Sequence, residues 1–196
     1  MNSSTAPEEK LTEAGHRERL LQGMARALAA RGYAQTSIAD IVREAAVSRR
    51  TFYEHFAGKT ECLLALYEAA SGVALKVLVE SVDRSRPWQV QVDGAVRAYL
   101  ECLASDPVLL RTLFVEILGL GLEGLAVRRR VHRAIADFIG AAVPDAEGQP
   151  LDRQMAMTVV GGIHELVLLA VEEGREADLT ALVEPATRLV RAVAQR

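Results

Sequence analysis

Residues 36–64 carry the pattern that most constrains this chain: two short amphipathic helices separated by a turn of small residues. In the first helix, Ile38, Ile41 and Val42 recur at helical spacing. The small residues at 45–47 allow a tight bend, and Ser48 is a good N-cap because its hydroxyl accepts a free backbone N–H. Two short helices joined in this way form a helix-turn-helix pattern, whose second helix enters a DNA major groove.

The second helix of this pattern carries the residue types that DNA recognition needs. Arg49 and Arg50 lie in its first turn, and a guanidinium can make a bidentate contact to guanine. Five further side chains can donate hydrogen bonds to phosphate oxygens: Ser48, Thr51, Tyr53, His55 and Lys59. Periodicity alone leaves open a small helical hairpin with a solvated polar face, since motif matches include false positives.

The run T-S-I-A-D-I-V-R-E-A-A-V-S-R-R-T-F-Y-E-H-F-A-G-K-T-E-C-L-L resembles the N-terminal DNA-binding domain of the TetR family of transcriptional repressors. The resemblance covers roughly residues 17–67, and its core, V-S-x-x-T-F-Y-x-H-F-x-x-K, is highly specific. It implies that Thr36 and Ser37 cap the second helix and contact phosphate. Ala46 departs from the family, which usually has glycine there, so a residue with a Cβ must occupy the turn, and we expect either a slightly different bend or a little strain.

Charge is distributed unevenly along the chain. Residues 16–60 hold eight Lys and Arg against four Asp and Glu, whereas the whole chain has a net charge of −3. A basic block inside an acidic chain favours contact with a polyanion through one domain only.

The rest of the chain is predicted to be helical as well, because half of its residues are apolar, aromatics are scarce and the apolar positions have helical periodicity. Residues 1–15 are polar and net acidic, which predicts a disordered arm. Helices are predicted at 16–31, 59–82, 89–104, 107–118, 122–142, 151–173 and 177–194. The helix at 107–118 is apolar all round and is expected to be central, whereas the helix at 59–82 should couple the two domains.

With the resemblance, these observations predict an all-α fold in two domains. A three-helix helix-turn-helix DNA-binding domain spans residues 16–64, and a helical bundle for ligand binding and dimerisation spans residues 65–196. Dimerisation through the last two helices is implied by the family. Gly161 and Gly162 would suit a close approach of another backbone there, although the pair could simply be buried in its own domain.

The resemblance also implies an effector cavity in the second domain. A cavity of this kind is mostly apolar with a few polar groups, so the effector is expected to be hydrophobic or amphipathic. Each polar candidate alone is more often a satisfied core or surface residue. The candidate lining residues are Tyr99, Cys102, Phe114, Glu116, Ile117, His132, Phe138, Met157 and His164.

Other classes of protein find little support in the sequence. No catalytic motif, phosphate loop or metal-ligand spacing occurs, so neither an enzyme nor a cofactor or metal site is predicted. No uninterrupted apolar run reaches membrane-span length and no signal peptide is evident, which predicts a cytoplasmic protein without a membrane partner. We therefore expect a dimeric repressor of a palindromic operator, released by a small effector. A constitutive or protein-regulated DNA-binding dimer, and a helical enzyme or carrier that does not bind DNA, remain the alternatives.

Overall fold

The computed structural model describes the backbone of residues 6–195 and the side chains of residues 13–195. This part of the chain is all-α, as predicted, and contains no β-strand. Its helices are α1 (Ala6–Gln35), α2 (Ile38–Ala45), α3 (Arg49–His55), α4 (Lys59–Glu80), α5 (Trp88–Ala104), α6 (Pro107–Arg111), α7 (Gly121–Ala142), α8 (Arg153–Glu172) and α9 (Val183–Ala194). The chain divides into two compact units, unit 1 (Met1–Tyr67) and unit 2 (Glu68–Arg196).

Unit 1 is built on the buried faces of its short helices. Leu20 and Met24 of α1, Ile41 of α2 and Phe52 of α3 are fully buried together with Leu63 of α4. A Cβ added to Gly23 would lie 2.7 Å from the carbonyl oxygen of Ile41. Only glycine therefore lets α1 and α2 approach so closely.

The first helix begins earlier than its sequence predicted. The predicted disordered arm covered residues 1–15; residues 1–5 lie outside the described residues, and residues 6–15 are helical and continuous with α1. Pro7 falls in the first turn, where its missing N–H breaks no helical bond. Gly32 interrupts the helix as predicted, with a φ of 70°.

The core of unit 2 is formed mainly by α5, α8 and α9. Its fully buried members include Leu100, Val159, Val167, Val171 and Leu179. The predicted helix at 177–194 is split into a 3-10 segment, Glu176–Leu182, and α9, which has Pro185 in its first turn. By length and composition alone α4 and α8 could cross a membrane, but α8 is apolar because it supplies so much of this core.

The predicted central helix at 107–118 is wrong. After α6 the chain forms a π-helical turn, Thr112–Glu116, and a 3-10 turn, Ile117–Leu120. Glycines explain the break, since Gly121 has a φ of 61° and a Cβ at Gly124 would lie 2.1 Å from the carbonyl oxygen of Ile117. The chain turns at this point and leaves apolar side chains exposed: Val108, Val115 and Leu118.

Candidate nucleic-acid interface and ligand cavity

The helix α3 is held by one cap and one buried side chain. The Ser48 hydroxyl accepts a hydrogen bond from the backbone N–H of Thr51 at 3.0 Å and lies 2.9 Å from the Thr51 hydroxyl. On the inner side, the Phe52 ring is fully buried and packs against Phe56 at 5.8 Å between centroids. Capping and burial together fix which face of this seven-residue helix meets solvent.

The solvent-facing side of α3 carries the side chains predicted to contact DNA. Arg49 and Arg50 are exposed, and the Tyr53 side chain is 59% exposed. Arg50 donates from Nε to Glu54 Oε1 at 3.0 Å, whereas Arg49 has no ion-pair partner among the described residues. An exposed pair of this kind contributes little to stability, so both guanidinium groups are accessible to a ligand.

Two other predicted contacts lie at the edges of this surface. Ser37 is exposed at the N-terminus of α2 and forms a capping box with Asp40. Hydrogen bonds from the Ser37 hydroxyl and backbone N–H, aided by Arg43, hold the pKa of the Asp40 carboxyl well below its usual range. The His55 ring is half-buried and lies 6.4 Å from the His16 ring, between centroids.

Thr36 and Lys59, both predicted to contact phosphate, donate hydrogen bonds to backbone carbonyls within unit 1. The Thr36 side chain is buried, and its hydroxyl donates to the carbonyl oxygens of Gly32 at 2.7 Å and Ala27 at 3.2 Å. Lys59 donates from Nζ to the carbonyl oxygens of Tyr33 and Thr36, each at 2.8 Å, and lies over the Tyr33 ring. These two side chains tie down the backbone around the break at Gly32.

The turn between α2 and α3 has a strained backbone and is held by hydrogen bonds from two arginines. Ala46 adopts a left-handed conformation, with φ 51° and ψ 49°, which is a strained backbone for a residue with a Cβ. Arg19 donates to the carbonyl oxygens of Ala45 at 3.1 Å and Ala46 at 2.6 Å, and Arg26 donates to the Glu44 carbonyl. Part of the basic block thus fixes the C-terminus of α2, a use that the charge count alone could not reveal.

Unit 2 contains a narrow apolar cavity of about 60 Å³ that opens to solvent. It is bordered by α4, α5, α7, α8 and α9. Most lining side chains are aliphatic, and three predicted residues are among them: Tyr99, Phe138 and His164.

The other predicted lining residues lie outside this cavity. The rings of His132 and Phe114 contact the His164 ring, with 4.3 Å and 5.5 Å between ring centroids, but neither residue lines the cavity. Four more do not line it: Cys102, Glu116, Ile117 and Met157. Residues 114, 116 and 117 lie in the π-helical and 3-10 turns, where the backbone departs from the continuous α-helix that the sequence predicted.

Lining residues that sequence reasoning missed include Trp88, Gln91 and Val96. Trp88 begins α5 directly after Pro87. A large aromatic next to a helix start in a chain with a single tryptophan was the available signal.

A buried polar cluster adjoins the cavity. The Tyr99 hydroxyl and His164 Nε2 are 2.9 Å apart, and both side chains are buried. Burial lowers the pKa of His132 to about 4, with a smaller contribution from Arg128. Burial also lowers the pKa of His164 well below its usual value, and repulsion from His132 and Arg128 lowers it further. Both imidazoles are therefore neutral at pH 7.

Solved structures of bacterial regulators have the same fold. The fatty acid degradation regulator FadR from Bacillus halodurans is 21% identical, with a TM-score of 0.74 over 89% of this chain and 93% of that chain. FadR from Bacillus subtilis, solved in complex with stearoyl-CoA, is 19% identical, with a TM-score of 0.75 over 91% and 99%. A tetR-family regulatory protein from Rhodococcus RHA1 is 18% identical, with a TM-score of 0.68 over 89% and 96%. Among curated proteins, no sequence matches the chain.

An exposed second helix on a three-helix scaffold is the arrangement of a helix-turn-helix domain. Residues 20–66 match the sequence model of the family described as bacterial regulatory proteins, tetR family. The match lies within unit 1, so this part of the chain is a tetR-type N-terminal domain, and the solved structures extend the likeness in fold to unit 2.

Proposed function

We propose that the chain is a homodimeric transcriptional repressor of the cytoplasm that binds a palindromic operator and is released by a hydrophobic effector. The exposed cationic face of α3 is the observation that carries this proposal. Arg49 and Arg50 stand in solvent on a helix anchored by the fully buried Phe52. A rigid helix with exposed guanidinium groups in its first turn suits the reading of base edges in a major groove.

Two copies of α3 are needed to read a palindrome. In helix-turn-helix dimers the half-sites lie about 34–36 Å apart, one turn of the duplex. We assign dimerisation to α8 and α9. On α8, a Cβ at Gly161 would meet nothing within 4 Å, and Leu169 is 46% exposed. This open face supports the approach of a second subunit, whereas Gly162 already packs against Leu189 of its own chain.

The apolar cavity of unit 2 supports an effector with a hydrophobic chain. A regulator of the same fold, FadR from Bacillus subtilis, is described in complex with stearoyl-CoA, an acyl ligand. An effector can shift the equilibrium between DNA-binding and released states only by its different affinity for the two states. We therefore expect the effector to bind the released state more tightly than the DNA-bound state.

Gel-shift titration of the purified protein against duplex DNA from upstream of its own gene tests the DNA-binding proposal. We expect binding to a palindrome whose affinity falls as salt rises, because phosphate contacts release counterions. Replacement of Arg49 or Arg50 by alanine should relax base preference and weaken binding by about 1–3 kcal/mol.

The matched control for these variants is Arg129→Ala, which removes an exposed arginine of α7 in unit 2. Binding by this control should equal that of the wild type. Absence of salt-sensitive binding to any palindrome in the upstream region would overturn the DNA-binding proposal. Operator binding that no hydrophobic ligand weakens would instead favour a constitutive or protein-regulated dimer.

A further inference from the structure

We propose that the cavity of unit 2 selects an effector with an uncharged polar head group, such as a hydroxyl or an ester, and that Tyr99 and His164, backed by His132, form the subsite for this head group. The inference rests on the proposed effector role of the cavity. It adds the chemical class of the ligand and the residues that distinguish it from charged analogues.

The lining of the cavity is apolar and contains no charged side chain among the described residues. Almost all of its surface is apolar, and the lining residues that carry a polar group are Trp88, Gln91, Tyr99 and His164. No Asp, Glu, Lys or Arg lines the cavity as the described residues form it. A ligand that enters this space loses its hydration and meets no fixed charge.

A buried polar cluster of Tyr99, His164 and His132 lies at the cavity wall. The Tyr99 hydroxyl is within hydrogen-bond distance of His164 Nε2, and the His164 and His132 rings meet edge to face. His132 is 5% exposed, and its Nε2 is buried without a hydrogen-bond partner among the described residues. Buried polar atoms are usually satisfied, and an orphan costs stability. His132 does not line the cavity, so the members of this network that a ligand's polar group can meet are Tyr99 and His164.

The charge state of these polar side chains determines which head group they suit. Burial keeps both imidazoles neutral at pH 7, so His164 at the cavity wall has one N–H donor and one acceptor nitrogen, and the Tyr99 phenol has one of each. A hydroxyl or an ester can bond to such groups without charge. A carboxylate or an ammonium buried there would lose its hydration without an opposite charge, which is far more costly. Arg128 disfavours protonation of both histidines, yet its side chain does not line the cavity.

Trp88 gives a direct test, because it is the only tryptophan of the chain and lines the cavity. Its fluorescence should report ligand titrations of the intact protein. We would use five probes of equal chain length: octanol, methyl octanoate, octyl chloride, octanoate and octylammonium. At pH 7 we expect octanol and the methyl ester to bind at least about tenfold more tightly than octanoate or octylammonium, since only the charged probes lose a charge's hydration.

Two variants then locate the preference. Tyr99→Phe removes only the hydroxyl, and it should reduce the preference for octanol over octyl chloride by about two- to tenfold, the effect of one hydrogen bond. Phe138→Leu, at an apolar part of the wall, should weaken all five probes by a similar factor and leave their ratios unchanged. The wild-type series decides the inference even where a variant fails to fold.

The outcomes separate the two proposals. Octanoate or octylammonium binding as tightly as octanol would overturn the uncharged head group while leaving an effector cavity intact. Tight octanoate binding that Arg128→Gln abolishes would assign the head group to that cation instead. If none of the five probes changed Trp88 fluorescence, both the head-group subsite and the proposed effector role of the cavity would be overturned.

Discussion

Unit 1 and unit 2 place their polar side chains in opposite environments. On α3 in unit 1, Arg49, Arg50 and Tyr53 project into solvent, and the buried anchor beneath them is an aromatic ring. In unit 2, Tyr99 and His164 are enclosed by aliphatic side chains. The difference matches two kinds of ligand, since a duplex is attracted over a distance by exposed charge, whereas a small molecule is selected by what its buried groups can bond to.

Positively charged side chains have two different uses within unit 1. Arg49 and Arg50 are exposed on α3, but Arg19, Arg26 and Lys59 donate to backbone carbonyls. The second group holds the scaffold together and the first group is available to DNA. Substitutions in the two groups should therefore differ in kind, with scaffold variants losing stability and surface variants losing affinity.

The largest effect is expected from Phe52→Ala. Removing a fully buried phenylalanine should destabilise unit 1 by about 3–5 kcal/mol, through lost burial and the cavity that remains. We expect operator binding to disappear while the Trp88 response to octanol persists. Chemical denaturation followed by circular dichroism and by Trp88 fluorescence checks both parts. Equal loss of the two signals at the same denaturant concentration would contradict the separate behaviour of the units.

A second substitution tests unit 2 as the place of subunit pairing. Gly161→Arg adds a long side chain where the subunit itself leaves open space, so the fold of the subunit should be kept. If α8 packs against a second copy there, the dimer dissociation constant should rise about a hundredfold or more, as at interface hot spots.

Sedimentation velocity across a concentration series measures this change. Gly72→Arg is the matched control, because it introduces the same side chain at another helical glycine with nothing near its added Cβ. A Gly161→Arg protein that remains as dimeric as the wild type would remove α8 from the interface.

The fold and the sites were predictable to different degrees. The cap at Ser48, the buried Phe52 and the solvent-facing Arg49 follow from positions within one turn of each other, so periodicity and capping rules predict them. An altered or strained bend at Ala46 was predicted from its departure from the family's usual glycine, and the structure adds that its backbone is left-handed.

Contacts between distant positions were not predictable. Lys59 meets carbonyls 23 and 26 positions away, and Tyr99 meets His164 from 65 positions away. Periodicity does not encode which helix lies opposite which. It also cannot reveal the π-helical turn at 112–116, where the backbone leaves α-helical register and moves the predicted cavity residues away.

Lys59→Met should have an intermediate effect. It removes two hydrogen bonds from a charged donor to backbone carbonyls, and we expect unit 1 to lose about 1.5–3 kcal/mol of stability. Urea denaturation followed by circular dichroism measures the loss, with Lys76→Met as a control, since Lys76 is exposed and paired only at 3.8 Å. If the variant had unchanged stability and its DNA binding depended less steeply on salt, Lys59 would instead be a residue that contacts phosphate.

The smallest effect, and one of opposite sign, is expected from Ala46→Gly. Glycine adopts the left-handed backbone at this position without the penalty that a Cβ brings. We expect unit 1 to gain about 0.5–1 kcal/mol, an increase of a few degrees in its melting temperature. Differential scanning calorimetry measures the shift. A lower melting temperature would mean that the clamp from Arg19 already relieves the strain and that the added chain entropy of glycine dominates.

Methylation interference on the operator tests most directly whether α3 reads DNA in the major groove. Methylation of guanine N7 alters the major-groove edge that an arginine contacts, and it leaves the minor groove and the phosphates unchanged. We predict that methylated guanines in two half-sites about one helical turn apart block binding by the wild type, and that Arg49→Ala or Arg50→Ala removes the block in both half-sites. Binding that tolerates methylation at every guanine, or a block that survives both substitutions, would contradict recognition through α3.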